Sequence, residues 1–386
     1  MSRLSCCFNI DDLRLAAKRR LPKGIFEYVD RGTEGEVSLR ENRAAFDRIR
    51  LLPRVLEDVS GRTLETTLFG KAQSMPMAIA PMSPAGLLWH QGELALACAA
   101  KAAGIPYTLP TESMTPIDAI AEVGGRLWFQ LYLWNHRPHS YALLDRVEKL
   151  GFEALILTVD TNATPNREFN SRNGFAMPIR PSLRAGIDVA MHPGWFFGTL
   201  ARYVMTSGLP AAVNHPEGYR DAIFKAPPDD ATGIDRRTTF EDLRLLRKMW
   251  PRTLMVKGVL HPDDARKAVE AGADAVIVSN HGARNFDSAL ASIDALPAIA
   301  DAVGGKATVL LDSGIRRGSD VAKALALGAK AVLVGRAALY GIAVAGEAGA
   351  AHALAMLRAE LDKTLGFAGC RDVAALGRAL VAETPR

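Results

Sequence analysis

The chain has 386 residues, 48% of them hydrophobic and 23% charged, an ordinary soluble balance with ample material for a large core. Its net charge of +5, from 47 basic against 42 acidic residues, is spread too evenly to indicate nucleic acid and supports only a mild preference for anions. Cys6, Cys7, Cys98 and Cys370 show neither metal-ligand spacing nor a disulfide framework, so no metal is expected and a reducing, cytoplasmic setting fits; no secretory signal and no apolar run of bilayer-crossing length is read.

Asn9-Ile10-Asp11-Asp12-Leu13 is a helix start, with a polar cap ahead of Leu and Ala at helical spacing. Leu21-Pro22-Lys23-Gly24 ends that helix, and Ile25 to Val29 begins a second, closed by Gly32. Lys18-Arg19-Arg20 reads as a solvated face, and the irregular stretch to Gly70 as a cover over one end of the fold. From Pro76 a rhythm sets in. Apolar runs at 77–80, 106–109, 127–129, 154–157, 254–256, 275–278, 309–311 and 331–334 alternate with amphipathic helices. Eight such repeats predict a single (β/α)8 TIM barrel over about 76–350, inside one domain of 1–386. The Gly-x-Gly-x-x-Gly fingerprint of an open dinucleotide-binding sheet is absent after the first strand.

One interval is too long. Roughly ninety residues separate Asp160 from Arg252, so an insertion of about 170–235 follows strand four, on the face where barrel active sites lie. It carries the aromatic-rich stretch His192 to Met205, with Arg184 and Arg202 nearby. Two readings stay open: a lid or membrane-surface segment, and a helix packed on its own barrel or on a neighbouring subunit.

In a barrel of this kind the chemistry belongs to residues just beyond the strands. Here these are Gln130, Tyr132, Thr158, Asp160, Lys257, His281, Arg284, Asp312, Gly335 and Arg336. His281 can move a proton near neutral pH, and Arg284, three residues on, can grip a carboxylate through two parallel hydrogen bonds. Asp312-Ser313-Gly314-Ile315-Arg316-Arg317-Gly318 and Gly335-Arg336 place freed amides and guanidiniums at the two strands where barrels bind phosphate. Lys257 would stabilise negative charge on a ring system, and Asp160 would hold His281 and raise its proton affinity. Arg167 and Arg284 are candidates for a two-arginine carboxylate clamp, with Tyr28 and Tyr132 as hydroxyl donors. Taken singly, each of these residues also fits a rim ion pair or a core position with a wet tip; the phosphate signature favours a bound cofactor.

Ser279-Asn280-His281-Gly282-Ala283-Arg284, Val256-Lys257-Gly258, Gln130-Leu131-Tyr132, Thr158-Val159-Asp160 and Leu311 to Gly318 resemble the FMN-dependent 2-hydroxy-acid dehydrogenase and oxidase family. Lys323 to Ala329 and Gly335 to Gly341 are most similar to its bacterial mandelate and respiratory lactate branches, and the resemblance runs from about Asn9 to Ala374. It implies FMN across the barrel mouth, with the phosphate on Gly335, Arg336, Arg316 and the Asp312-Ser313-Gly314 turn. Gln130 and Thr158 would touch the ring edge, Lys257 would face N1 and O2, and Ala80, Pro81, Met82 and Ser279 would complete the cofactor contacts. The substrate implied is an (S)-2-hydroxy acid, mandelate-like or lactate-like, oxidised to the 2-oxo acid. Its carboxylate would lie between Arg167 and Arg284 with Tyr28 assisting, its hydroxyl at Tyr132, and His281 partnered by Asp160 would be the base. Carbanion and hydride routes both stay open, as does the electron acceptor, whether quinone, oxygen or a carrier protein. A homotetramer is implied, and the His-Pro-x-Trp piece implies peripheral contact with the inner face of a membrane. The chain departs from the family pattern at Ser83-Pro84, at Pro110 and at Glu112, where members carry an apolar or aromatic pocket residue. A carboxylate there favours a hydroxylated or cationic side group over plain phenyl or methyl. The rival readings are a flavin or phosphate-ligand barrel with non-redox isomerisation or aldol chemistry, and a flavin-binding protein without turnover.

Overall fold

The eight apolar runs become strands β1 (Met77–Ile79), β2 (Tyr107–Pro110), β3 (Leu127–Leu131), β4 (Ala154–Thr158), β5 (Thr253–Val259), β6 (Ala275–Val278), β7 (Thr308–Leu311) and β8 (Ala331–Val334). They come from a computed structural model that describes residues 3–175, 182–220 and 228–382. All eight pair in parallel, and β8 returns to β1 through Val332 opposite Met77, which closes the barrel. Ala78, Trp128, Ile156, Met255, Ile277, Leu310 and Leu333 pack together inside it. Their alternating neighbours, among them Met77, Ile79, Leu155, Val256, Val276 and Val278, pack outwards against the helices. Burial on both faces is why these strands read as continuous apolar runs.

The N-terminal cover divides between the two barrel ends, where the sequence suggested one. The first helix, Ile10–Arg20, begins as expected, Asn9 Oδ1 accepting from the Asp12 amide at 2.9 Å. The second, Lys23–Asp30, starts two residues earlier than expected and gives way at Arg31 to extended backbone, so Gly32 is not its cap. A third helix, Val37–Arg48, is missing from the sequence reading; it starts from Glu36 in the left-handed region without a side-chain cap, so it carries no start signal. Arg43 on this helix ties it to the barrel mouth, bonding Gly314 O and Asp320. At the opposite end a hairpin, Thr66–Leu68 with Lys71–Gln73, presses Leu68 and Phe69 onto the inner layer, Phe69 edge-on to Trp128 at 5.9 Å. Arg20 is not a solvated cation: it is buried, donates to Leu88 O and Ala343 O at 2.9 Å, and lies over the Trp89 ring.

The insertion packs with one face and leaves the other bare. Trp195 is buried with its indole N–H donating to Leu87 O at 2.6 Å, and the Tyr203 hydroxyl accepts from the Gln91 amide at 3.0 Å. Leu183, Ile187, Met191, Phe197, Val204 and Met205 are exposed. The parts of the insertion at 176–181 and 221–227 lie outside the described residues. The C-terminal helix, Arg336–Ala368, is long and apolar enough by composition to cross a bilayer, contrary to the sequence reading. It is nevertheless mostly buried and breaks at Ala345 and Gly346, folding back so closely that a Cβ on Gly349 would lie 1.9 Å from Gly341 O.

Asp30 joins the cover to this helix, accepting from Arg14 Nε at 2.6 Å and from the Tyr340 hydroxyl at 2.7 Å. Burial works against its charge, but Arg14 and Tyr340 outweigh it and hold the carboxyl below the usual aspartate range. That stabilisation is complete above the unfolded value, near ~4, and is lost as pH falls through the lower folded value. Asp30→Asn is expected to destabilise the protein at neutral pH by about 1–3 kcal/mol. Thermal melts of both proteins should begin to approach each other below about pH 4 and converge only once the pH has fallen below the lower folded value; a gap that stays unchanged through this range would remove the ion pair as the cause.

Candidate active site

Closing the barrel gathers the strand tips around one cavity of about 890 Å³ at their C-terminal ends. Tyr28, Tyr132, Arg167, His281 and Arg284 line it, as do Ala80, Pro81, Met82, Gln130, Thr158, Lys257, Asp312, Ser313, Gly314, Arg316, Gly335 and Arg336. Two expected residues stand behind the lining instead. Asp160 reaches the cavity only through His281. Ser279 is buried beneath it, its Oγ taking hydrogen bonds from Lys257 Nζ at 2.9 Å and the His281 amide at 3.0 Å, so it positions both.

His281 follows β6 in the left-handed region, φ 57°, a backbone setting that side chains other than glycine rarely adopt. Asn280 fixes that turn by exchanging two hydrogen bonds with Asn42 of the cover, 2.9 and 2.8 Å, and by accepting from the Ala283 amide at 3.1 Å. The ring then presents Nδ1 to Asp160 Oδ1 at 2.8 Å and Nε2 to the Tyr132 hydroxyl at 3.5 Å. A carboxylate on Nδ1 selects the tautomer with hydrogen there and leaves Nε2 as the basic atom facing the cavity. Burial opposes charge on Asp160, but His281 and Lys257 override it and keep the carboxylate ionised. Burial, then Asp160 and Glu112, push the Tyr132 phenol up, so it stays a proton donor.

Several cations line the cavity. Arg284 and Arg167 both lie over the Tyr28 ring, their guanidiniums 4.9 and 5.6 Å from its centre, and Arg167 donates to Arg284 O. Neither has a carboxylate partner among the described residues, and burial followed by Arg167 pushes Arg284 down to about 9. Arg336 lies close to Arg284, the two donating to the same carbonyl, Arg31 O, at 3.2 and 3.3 Å; it also donates to Val29 O at 2.8 Å and Gly282 O at 2.8 Å, binding the cover to the strand tips, and burial likewise lowers it. Arg316 lies beside it over the Tyr340 ring. Lys257 is buried; burial opposes its charge, but Asp312, 3.0 Å away, and Asp160 raise it above the ordinary lysine value. Gln130 Nε2 and Thr158 Oγ1 are buried with no hydrogen-bond partner among the described residues. A ring with acceptors and donors on its edge would satisfy both atoms, and a phosphate would meet Arg316, Arg336 and the Gly314 turn, so the residues present fit FMN. At Gly314, φ 89°, a Cβ would come 2.7 Å from Asn42 O, so only glycine makes that turn.

Three supporting residues escaped the sequence reading. Asn285 Nδ2 donates to Asp160 O at 2.8 Å, and Gly258 leaves space where a Cβ would stand 2.6 Å from Asp160 Cβ. His215, on the insertion, contacts Glu112 at 2.9 Å. Gly258 was legible only as part of a strand-end motif, and Asn285 only as a departure from the Arg-Gln-Leu-Asp usual in the family it resembles; His215 carries no local signal.

A family model described as FMN-dependent dehydrogenase matches residues 17–383. The chain is 40% identical over 370 residues to (S)-mandelate dehydrogenase of Pseudomonas putida, covering 96% of this chain and 92% of that one. It is 41% identical over 378 residues to L-lactate oxidase of Nostoc sp., covering 97% of each. A solved structure of the monotopic membrane protein (S)-mandelate dehydrogenase superposes with a TM-score of 0.92 at 38% identity, covering 98% of this chain and 100% of that one. With this site and these likenesses, the chain belongs to the FMN-dependent dehydrogenase family.

Proposed function

We propose that the chain oxidises an (S)-2-hydroxy acid, mandelate-like or lactate-like, to the corresponding 2-oxo acid. The observation that carries this reading is the His281–Asp160 pair facing the same cavity as two guanidiniums without a carboxylate partner. FMN, when bound, supplies the sink for the two electrons that leave the α-carbon. Gln130, Thr158 and Lys257 hold its ring edge, and Gly335, Arg336, Arg316 and the Asp312-Ser313-Gly314 turn hold its phosphate. Arg167 and Arg284 fix the substrate carboxylate, with Tyr28 between them. Tyr132 donates to the hydroxyl oxygen. His281 takes the proton on Nε2, and Asp160 stabilises the imidazolium that results. The base and the clamp serve a carbanion route and a hydride route alike.

The bare apolar face of the insertion supports a peripheral seat on a membrane, as does the likeness to a neighbour described as a monotopic membrane protein; the inner face is the side we propose.

His281→Gln is expected to remain yellow but not to bleach when an (S)-2-hydroxy acid is added without oxygen; surviving bleaching would place the base elsewhere. Asp160→Asn should slow bleaching about a hundredfold or more. Arg284→Met should weaken oxalate binding, followed by calorimetry, by about ten- to a hundredfold. Its ligand-free melting temperature should not fall, because an unpaired charge has been removed from the interior. Phe197→Asp with Met205→Asp should shift the protein from sedimenting with anionic vesicles to the supernatant; sedimentation equal to the parent's would rule this face out as the anchor.

A further inference from the structure

The cavity wall is backed by a second histidine–carboxylate pair that the oxidation leaves unused. Glu112, just beyond β2, lines it, and Glu112 Oε2 lies 2.9 Å from His215 Nε2. His215 is buried, edge-on to Trp134 at 4.8 Å, and its Nδ1 has no hydrogen-bond partner among the described residues. Glu112 is the ring's single polar partner among them, which puts the ring hydrogen on Nε2, donated to the carboxylate. Both loops are fixed. Asn214 accepts from the Ile117 amide at 2.9 Å and donates to Thr115 O at 3.2 Å, and Arg220 Nε donates to His215 O at 3.2 Å. Glu112 O accepts from Ser83 Oγ at 2.6 Å, and Thr111 Oγ1 donates to Gln130 O at 2.7 Å.

Other acids on this wall are already engaged: Asp230 by Asn135, and Asp235 by Arg137 and Arg237. Glu112 has no lysine or arginine partner among the described residues, and its Oε1 accepts no hydrogen bond there. Its neighbours in the lining, Pro110, Met114 and Ala212, offer no side-chain donor. A carboxylate oxygen held in such a wall is satisfied by a donor brought by the ligand. We propose that Glu112, positioned by His215, is the specificity-determining residue for the substrate's side group and selects 2-hydroxy acids whose side group ends in a hydrogen-bond donor. This selection rests on the oxidation proposed above.

The test uses FMN-loaded protein and three probes: (S)-mandelate, its para-hydroxyl analogue, and an (S)-2-hydroxy acid with a terminal ammonium group. Anaerobic bleaching rates give the preference, and calorimetry with the matching 2-oxo acids gives it independently of turnover. A donor-bearing probe should be preferred over (S)-mandelate by about tenfold or more. The preference should shrink to about twofold or less in Glu112→Ala and fall in His215→Phe. Glu112→Gln, which keeps the shape, should retain part of a hydroxyl preference and lose an ammonium preference, which separates the two kinds of donor. Retained yellow colour and melting temperature establish that each variant is folded. Bleaching by all probes without preference, or a preference that survives Glu112→Ala, overturns the selection alone; a preference untouched in His215→Phe overturns the positioning. No bleaching by any probe overturns the oxidation and the selection together.

Discussion

Arg284 and Arg336 are ringed by protein and have no carboxylate to pair with among the described residues, and burial holds both below the ordinary arginine range. Charge placed this way costs stability, and it persists only where the surrounding structure is rigid and where bound anions relieve it. The closed barrel supplies the rigidity, with side chains packed on both faces of every strand. The carbonyls that steady the guanidiniums come largely from the cover: Tyr28 and Arg31 for Arg284, Val29 and Arg31 for Arg336. The cover is thus part of the site, and its second helix and the turn after it are held to the mouth by the cations they help to bury.

The base is organised by the same logic at shorter range. His281 occupies a left-handed turn that Asn280 and Asn42 hold from below, while Gly258 and Asn285 make room for and grip Asp160. Three non-glycine residues with positive φ, His281, Ala283 and Ser313, fall within the loops after β6 and β7. Strain concentrated there, with Ser313 Oγ accepting from the Gly282 amide at 2.9 Å, points to a turn over-determined by its neighbours. Lys257, between Asp312 and Ser279, links the His281 turn to the loop after β7.

The insertion serves both surfaces at once. Trp195 and Tyr203 anchor it to the barrel, Asn214 and His215 bring it to the loop after β2, and its outer face stays apolar. A segment with a bare apolar face on one side therefore also shapes the cavity wall on the other.

Strand number, strand order and the residues that gather at the barrel mouth were legible in the amino-acid sequence because buried parallel strands must be continuously apolar and barrel sites lie just beyond them. His281, Asp160, Lys257 and the arginines of the mouth could be named from that rule alone. The third cover helix could not, since Glu36 gives it no cap signal, and the division of the cover between both barrel ends depends on contacts across the whole chain. Only tertiary structure decided that Ser279 lies beneath the cavity and that Arg20 is interior. It alone paired Glu112 with a histidine 103 residues further along. Local pattern encodes which face of an element is buried; it carries no record of which distant side chain arrives to meet it, because that is fixed by barrel closure and by the path of the insertion.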